Sequence, residues 1–167
     1  MAILEILQYP DARLNTPAQR VDKIDAATRK LIEDMTQTMY AAPGVGLAAT
    51  QVDVHKQIIV IDVSDDRSDL RVFVNPEITR REGVAVSQEG CLSIPGIYDN
   101  VERAESVTVT ALDRNGSRFT LNASGVLAAC IQHEMDHLHG KIFIDYLSEL
   151  KQNRVRTKLK KRQRKAA

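Results

Sequence analysis

SGVLAACIQHEMDHLH, running from Ser124 to His139, is the stretch that organises this chain. Val126, Leu127, Ala128, Ala129, Ile131, Met135 and Leu138 make it apolar over most of its circumference, the composition of a helix packed inside a domain. The same helix nevertheless carries His133, Glu134 and His137 as an H-E-x-x-H run. Residues four apart share a helix face and are separated by ~6 Å along the axis, so the two imidazoles can each aim one nitrogen at a single ion. A solvated polar surface would match so short a pattern equally well, but a buried helix rarely carries unpartnered polar groups, and a metal supplies the partner. Glu134 then stands beside the ion, placed to take a proton from water and pass it to a leaving group.

Two histidines leave an open catalytic site short of one protein ligand. The remaining candidates are His55, His139, Cys91 and Cys130. His139 lies roughly opposite the face shared by His133 and His137 and abuts Gly140, a helix-stop signal, so it reads as an exposed C-terminal cap. Cys130 is near the right face, but the ion should sit ~7.5 Å further along the axis, beyond a cysteine's reach. It reads as a small buried residue lining the cavity, with a ligand role as the lesser alternative. Cys91 sits in QEGCLSIP, Gln88–Pro95, an irregular stretch from which a thiolate can be aimed inward. A Cys91, His133, His137 set suits iron, zinc or nickel better than magnesium or calcium.

A third informative segment is GVGLAATQ, Gly44–Gln51, after Pro43. It has neither the spacing nor the Lys-Ser/Thr ending of a phosphate loop. Read alone it is a tight glycine turn leading into a packed strand, with small residues that let a backbone approach closely.

Taken together, G-x-G-x-A-A-x-Q at Gly44–Gln51, E-G-C-L-S at Glu89–Ser93 and H-E-x-D-H at His133–His137, in this order, resemble the peptide deformylase family, and the resemblance runs over essentially the whole chain. It implies removal of the N-formyl group from the formylmethionine of nascent polypeptides, with release of formate. It also implies one divalent metal ion, natively Fe2+, for which Zn2+, Ni2+ or Co2+ substitutes. On the same grounds Cys91, His133 and His137 correspond to the metal ligands and Glu134 to the general acid and base. Gln51 corresponds to the side-chain donor to the formyl oxygen, with the backbone N–H of Leu92 as its companion. Backbone groups of Val45, Gly46 and Gly90 would pair with an extended substrate, and Glu89, Val126, Ala129, Cys130 and His133 would wall the methionine pocket. Tyr98 stands where close relatives often carry arginine. Asp136, or a nearby arginine such as Arg103, is a candidate partner for the outer nitrogen of a ligating histidine.

At 167 residues and 43% hydrophobic content the chain is expected to form one domain with a substantial core. Residues 1–147 are read as the catalytic domain and 148–167 as its basic C-terminal helix or tail. Lys151, Arg154, Arg156, Lys158, Lys160, Lys161, Arg162, Arg164 and Lys165 fall in that tail without one acid. Of 23 basic and 22 acidic residues in all, 14 basic and 22 acidic therefore lie before it, an acidic body behind a nearly neutral total. Basic tails commonly meet nucleic acid, and similar bacterial enzymes dock such a helix on the ribosome. No apolar run approaches membrane-spanning length and no signal core is evident, so a cytoplasmic protein with no membrane partner is expected; a monomer with no DNA partner is the accompanying expectation. Two cysteines in unlike surroundings argue against a disulfide.

Periodicity and turn signals predict a helix from Asp25 to Ala41 capped by Asp25 and stopped by Pro43. Strands are predicted at 57–63, 70–75, 78–87, 101–113 and 117–121, the last two joined by an Asn115-Gly116 turn. Strands mostly preceding one long apolar helix indicate an α+β fold, with the metal helix packed against antiparallel and mixed sheets. Two competing functions fit parts of the pattern: an H-E-x-x-H metallopeptidase, and a non-catalytic ribosome- or RNA-binding module.

Overall fold

The computed structural model of the chain describes residues 2–166, with side chains to Arg162; the Arg164 and Lys165 side chains of the basic run lie outside the described residues. In chain order the elements are α1 (Ala26–Ala41), β1 (Gly46–Ala48), β2 (Ile58–Ile61), β3 (Arg71–Glu82), β4 (Ala85–Cys91), β5 (Ile94–Arg103), β6 (Ser106–Leu112), β7 (Arg118–Ser124), α2 (Gly125–Leu138) and α3 (Glu149–Ala166). Short 3-10 turns at Ala12–Asn15, Ala49–Val52 and Phe143–Tyr146 join them. The fold is α+β, as expected.

β1-β2-β3-β6-β7 form one five-stranded sheet, and β4-β5 a separate two-stranded one. All strand pairs in both are antiparallel. The expected mixed character is confined to one isolated parallel bridge, Gln19 to Lys56. β2 explains how the larger sheet is covered. Its four residues, Ile58–Ile61, are all fully buried, and alternate side chains point to opposite faces. Ile59 and Ile61 pack with Phe73, Val109 and the α2 residues Ala128, Ile131 and Met135. Ile58 and Val60 pack on the other face with Ile32, Met35 and Met39 of α1. A continuous apolar run is what a strand between two helices requires.

α1 begins where the Asp25 carboxylate accepts the Thr28 N–H at 2.9 Å, and it stops before Pro43 as predicted. The Asn115-Gly116 turn is also present, with Gly116 at φ +84°, the left-handed conformation such hairpins need. Two predicted strand boundaries need correction. The segments 70–75 and 78–87 are not two such strands: β3 runs unbroken through Pro76, and the break falls after Glu82. A register shift between Val74 and Glu77 accommodates the proline, which has no N–H for the ladder. Asn75 there takes φ +51° while its side chain bonds both the N–H and the carbonyl of Val21 at 2.8 Å. The predicted strand 101–113 is divided at Ala104-Glu105, where the chain leaves one sheet for the other. Gln132 of α2 holds both backbone groups of Ala104 there, at 3.0 and 2.9 Å.

A third cluster joins the β4-β5 hairpin to the C-terminal segment through Ile94, Ile97, Val101, Phe143, Ile144 and Val155 of α3. α2 packs on the larger sheet through its apolar face and meets the hairpin through polar side chains, His133 at Glu89 and Asp136 at Arg103. Its apolar contact with the sheet sets its stability: Ile131 is 1% exposed whereas Val126 on the same helix is 70% exposed. Ile131→Ala is expected to lower the unfolding free energy by about 2–5 kcal/mol, and Val126→Ala to stay within about 0.5 kcal/mol. Urea denaturation of the two variants measures both.

Candidate metal centre

α2 withdraws three polar side chains from water along one face: His133 is 7% exposed, Glu134 4% and His137 0%. The two imidazoles meet edge to face with centroids 5.1 Å apart. The β4-β5 hairpin brings Cys91 to them from the other side. One donor atom each from Cys91, His133 and His137 lies within 4.8 Å of the others, the only such group of three among the described residues. Cys91 Sγ is 3.3 Å from His137 Nε2.

The outer nitrogen of His133 is held by Glu89, whose Oε1 lies 2.9 Å from Nδ1. A carboxylate only accepts, so Nδ1 carries a proton, and Nε2 is the nitrogen that can offer a lone pair to an ion in place of its own proton. Glu89 is held in turn by Arg103, which donates from Nε and Nη2 at 2.8 and 2.7 Å, while Nη1 donates to Asp136 at 2.6 Å. Arg103 also lies over the Tyr146 ring, 5.0 Å from its centroid. The expectation that Asp136 or Arg103 would support a histidine resolves into this relay. Glu89 touches the imidazole, and the other two act behind it. Glu89 also lines the cavity, but its carboxylate is committed to Arg103 and His133. That role escaped the sequence reading because the partners come from three separate segments.

Gln51, 1% exposed, sits in the 3-10 turn after β1. Its Oε1 accepts the Ala48 N–H at 3.0 Å, which fixes the amide so that Nε2 donates to Ser93 Oγ at 3.1 Å and faces Cys91 Sγ at 3.4 Å. Ser93 is a partner that the sequence reading did not single out. A Cβ on Gly46 would stand 2.5 Å from Glu134 Oε2, so the glycine is what lets β1 lie against that carboxylate.

These elements enclose a cleft of about 950 Å³. Val45, Gly46, Glu89, Gly90, Leu92, Val126, Ala129, Cys130 and His133 all line it, as do Gln51, Cys91, Glu134 and Tyr98. His137 lies behind this lining. The cleft also takes in Ile6 and Gln8 of the N-terminal segment and Val86, Ser87 and Gln88 of β4, which sequence reasoning missed; no local signal marks them. Cys130 is a half-buried free thiol on the wall and is not part of the three-donor group. His139 caps α2, exposed, as predicted.

The electrostatics suit a cation. Burial pushes Glu134 up to about 7, and its Oε1 has no hydrogen-bond partner. Burial holds His137 well below the usual imidazole range, leaving it neutral. Burial acts the same way on His133, but Glu134, Cys91 and Glu89 outweigh it and carry that group well above its ordinary value. Negative charge that favours a proton on an imidazole equally favours a metal ion there. Glu89 loses some stability as an anion through burial, yet Arg103 and His133 hold it down at about 2. Burial, with Glu134 and Glu89 adding to it, pushes the Cys130 thiol up to about 12, which makes it a poor ligand beside Cys91.

Residues 3–153 match the sequence profile of the family described as polypeptide deformylase. Peptide deformylase 1 of Burkholderia multivorans is 60% identical over 165 residues, 98% of this chain and 91% of that protein. A peptide deformylase of Neisseria meningitidis is 58% identical, covering 98% of each chain. Among solved structures, a peptide deformylase from Legionella pneumophila superimposes with TM-score 0.94 at 50% identity, covering 98% of this chain and 96% of that one. The Ehrlichia chaffeensis enzyme in complex with actinonin gives 0.94 at 40%, covering 98% and 99%.

Arg103 is 5% exposed on its side chain between Glu89 and Asp136. Arg103→Met leaves two carboxylates without their cation and is expected to destabilise the protein by about 3–5 kcal/mol. Arg80→Met, which breaks a pair with both partners more than half exposed, should cost less than about 1 kcal/mol. Denaturant titration compares them.

Proposed function

This chain belongs to the polypeptide deformylase family and is a hydrolase that removes the N-formyl group from nascent peptides; we propose that Cys91, His133 and His137 hold its metal ion and that Glu134 moves the proton. The observation that carries the assignment is the convergence of those three donors beside a buried carboxylate with an unpartnered oxygen. Sulfur with two imidazoles suits iron, zinc or nickel, and family membership favours Fe2+ among them as the native ion, with Zn2+, Ni2+ or Co2+ as substitutes. When bound, the ion supplies Lewis acidity that makes water nucleophilic near neutral pH.

The chain's own residues complete the reaction. Glu134 accepts a proton from the attacking water, oxygen bonds to the formyl carbon, and the C–N bond then breaks as Glu134 returns a proton to the departing amine, releasing formate. A carboxyl group held near 7 suits both transfers. Negative charge on the formyl oxygen is met by Gln51 Nε2, whose orientation Ala48 fixes, and by the Leu92 N–H; such a donor is worth about 2.7–4 kcal/mol of barrier. Val45, Gly46 and Gly90 offer backbone groups to an extended peptide at the unpaired edges of β1 and β4. Glu89, Val126, Ala129, Cys130 and His133 wall the methionine side chain.

We further propose a cytoplasmic monomer in which residues 1–147 form the catalytic domain and α3 carries the basic surface that meets the ribosome. No helix among the described residues is long and apolar enough to cross a membrane. Nothing favours a metallopeptidase or a purely binding module.

Glu134→Ala should fold, retain its metal by elemental analysis, and release formate about 100-fold to 10,000-fold more slowly from a formyl-Met peptide. Normal formate release by the folded, metal-loaded variant would remove Glu134 from its role. For α3, Val155 and Leu159 pack into the core, so the test neutralises charge and leaves the helix in place. Lys158, Lys160 and Lys161 are exposed. Changing all three to Gln should weaken sedimentation with ribosomes and flatten its salt dependence, while peptide hydrolysis stays at the unmodified rate.

A further inference from the structure

The cleft wall opposite the hairpin is Pro43-Gly44-Val45-Gly46, a segment with two glycines and little stiffness of its own. It is held from outside. The Gly44 N–H donates to Met39 O at 2.9 Å, and the Val45 carbonyl accepts the Asp62 N–H at 2.8 Å. The Gly44 carbonyl accepts from the Arg67 guanidinium. On its inner side, a Cβ at Gly44 would stand 2.6 Å from the Leu92 side chain. Gly44 is thus wedged between the charge of Arg67 and the residue that follows Cys91.

The loop bearing Arg67 is itself fastened. Buried Asp62 accepts from the Tyr40 hydroxyl at 2.6 Å and from Ser64 N–H and Oγ–H at 3.0 and 2.5 Å. Ser64 Oγ accepts the Ser68 N–H at 3.0 Å. Arg67 takes φ +58°, and its guanidinium lies 5.7 Å from the Tyr40 ring centroid. A non-glycine residue keeps that conformation only where its surroundings impose it. None of these side chains lines the cleft.

We propose that Arg67 is a positioning residue for peptide binding: acting through the Gly44 carbonyl, it sets the wall so that the free edge of β1 pairs with the substrate beyond its formylated residue. This rests on reading the cleft as a peptide site. A charged donor to a carbonyl is a strong, directional bond. Arg67 itself bonds the wall at Gly44, two residues before the Gly46 that meets Glu134, and makes no hydrogen bond to Glu134, Gln51 or the three metal-binding side chains.

The test compares formyl-methionine amide, which has no residues to pair with the edge, with formyl-Met-Ala-Ala on the metal-loaded protein. Arg67→Met is expected to raise KM for the tripeptide about tenfold with kcat within about twofold, the pattern of lost uniform binding. KM for the amide should move less than about twofold, and Arg67→Lys, which keeps the cation but not the planar fork, should recover part of the loss. Arg67 is only half-buried, and a thermal melt confirms that the variants are folded. Equal KM changes for the two substrates, no change for either, or a fall in kcat alone would overturn the clamp. If the unsubstituted protein also fails to prefer the tripeptide, the peptide-cleft reading falls with it; if it keeps that preference, the clamp alone is lost.

Discussion

Burying two imidazoles and a carboxylate on one face of one helix costs several kcal/mol for each group left uncompensated, and the surrounding structure is arranged to meet that cost. His133 is answered by Glu89, Glu89 by Arg103, and Arg103 by Asp136, where the relay reaches a side chain 18% exposed to water. Two carboxylates share one guanidinium, so with His133 neutral, as a ligand must be, the relay keeps a net negative charge. Glu134 adds to it when ionised, and Cys91 does so when it gives up its proton to ligate. A divalent cation is the natural complement of this excess. Against the effect of burial on His133, Glu134, Cys91 and Glu89 raise that group, whereas Glu134 is raised to about 7 chiefly by burial itself, so one dry pocket sets both groups.

That arrangement needs three chain segments delivered to one helix, and the two-sheet architecture does this. α2 lies on the five-stranded sheet through Ala128, Ile131 and Met135, which leaves His133 and His137 facing the hairpin. The hairpin brings Glu89, Cys91 and Arg103 from two adjacent strands. The chain's passage between sheets at Ala104 is pinned by Gln132, the residue immediately before His133. The turn that moves the chain from hairpin to sheet is therefore set against the helix that carries His133 and His137. β1 and β4 end the two sheets on either side of the cleft, each with one edge unpaired.

What was legible in the sequence follows from how local its cause is. The Asp25 cap, the stop at Pro43, the Asn115-Gly116 turn and the helix from Ser124 to His139 depend on residues a few positions apart, and each appears where expected. The continuity of β3 through Pro76 depends on Asn75 reaching Val21, 54 positions away, and the break at Ala104 on Gln132, 28 positions away. No periodicity records such contacts. In the site, the convergence of Cys91, His133 and His137 was readable because few residue types bind soft metals and the chain has few of them. Glu89 was not readable as the partner of His133, since an acid in a turn-like segment has many ordinary uses. Ser93 and Arg67 act on Gln51 and on the Gly44 carbonyl, and a sequence shows a side chain's chemistry without showing which atom it meets.

Gly46 shows why the outer contacts matter. Any larger residue would bring its Cβ to 2.5 Å from Glu134 Oε2, so close approach of β1 to that buried carboxylate demands glycine. Glycine in turn leaves the wall with greater conformational freedom than other residues would. That freedom would be tolerable in a loop with no partner, but an edge that pairs with a peptide must hold its donors and acceptors in register. Stiffness therefore has to come from neighbours. Met39 at the end of α1, Asp62 at the end of β2 and the loop beyond it supply it by occupying the backbone groups of Gly44 and Val45 that do not serve the cleft. The active-site glycine and the remote arginine are two parts of one solution: the first admits Glu134 to the wall, and the second restores the order that the first gives up.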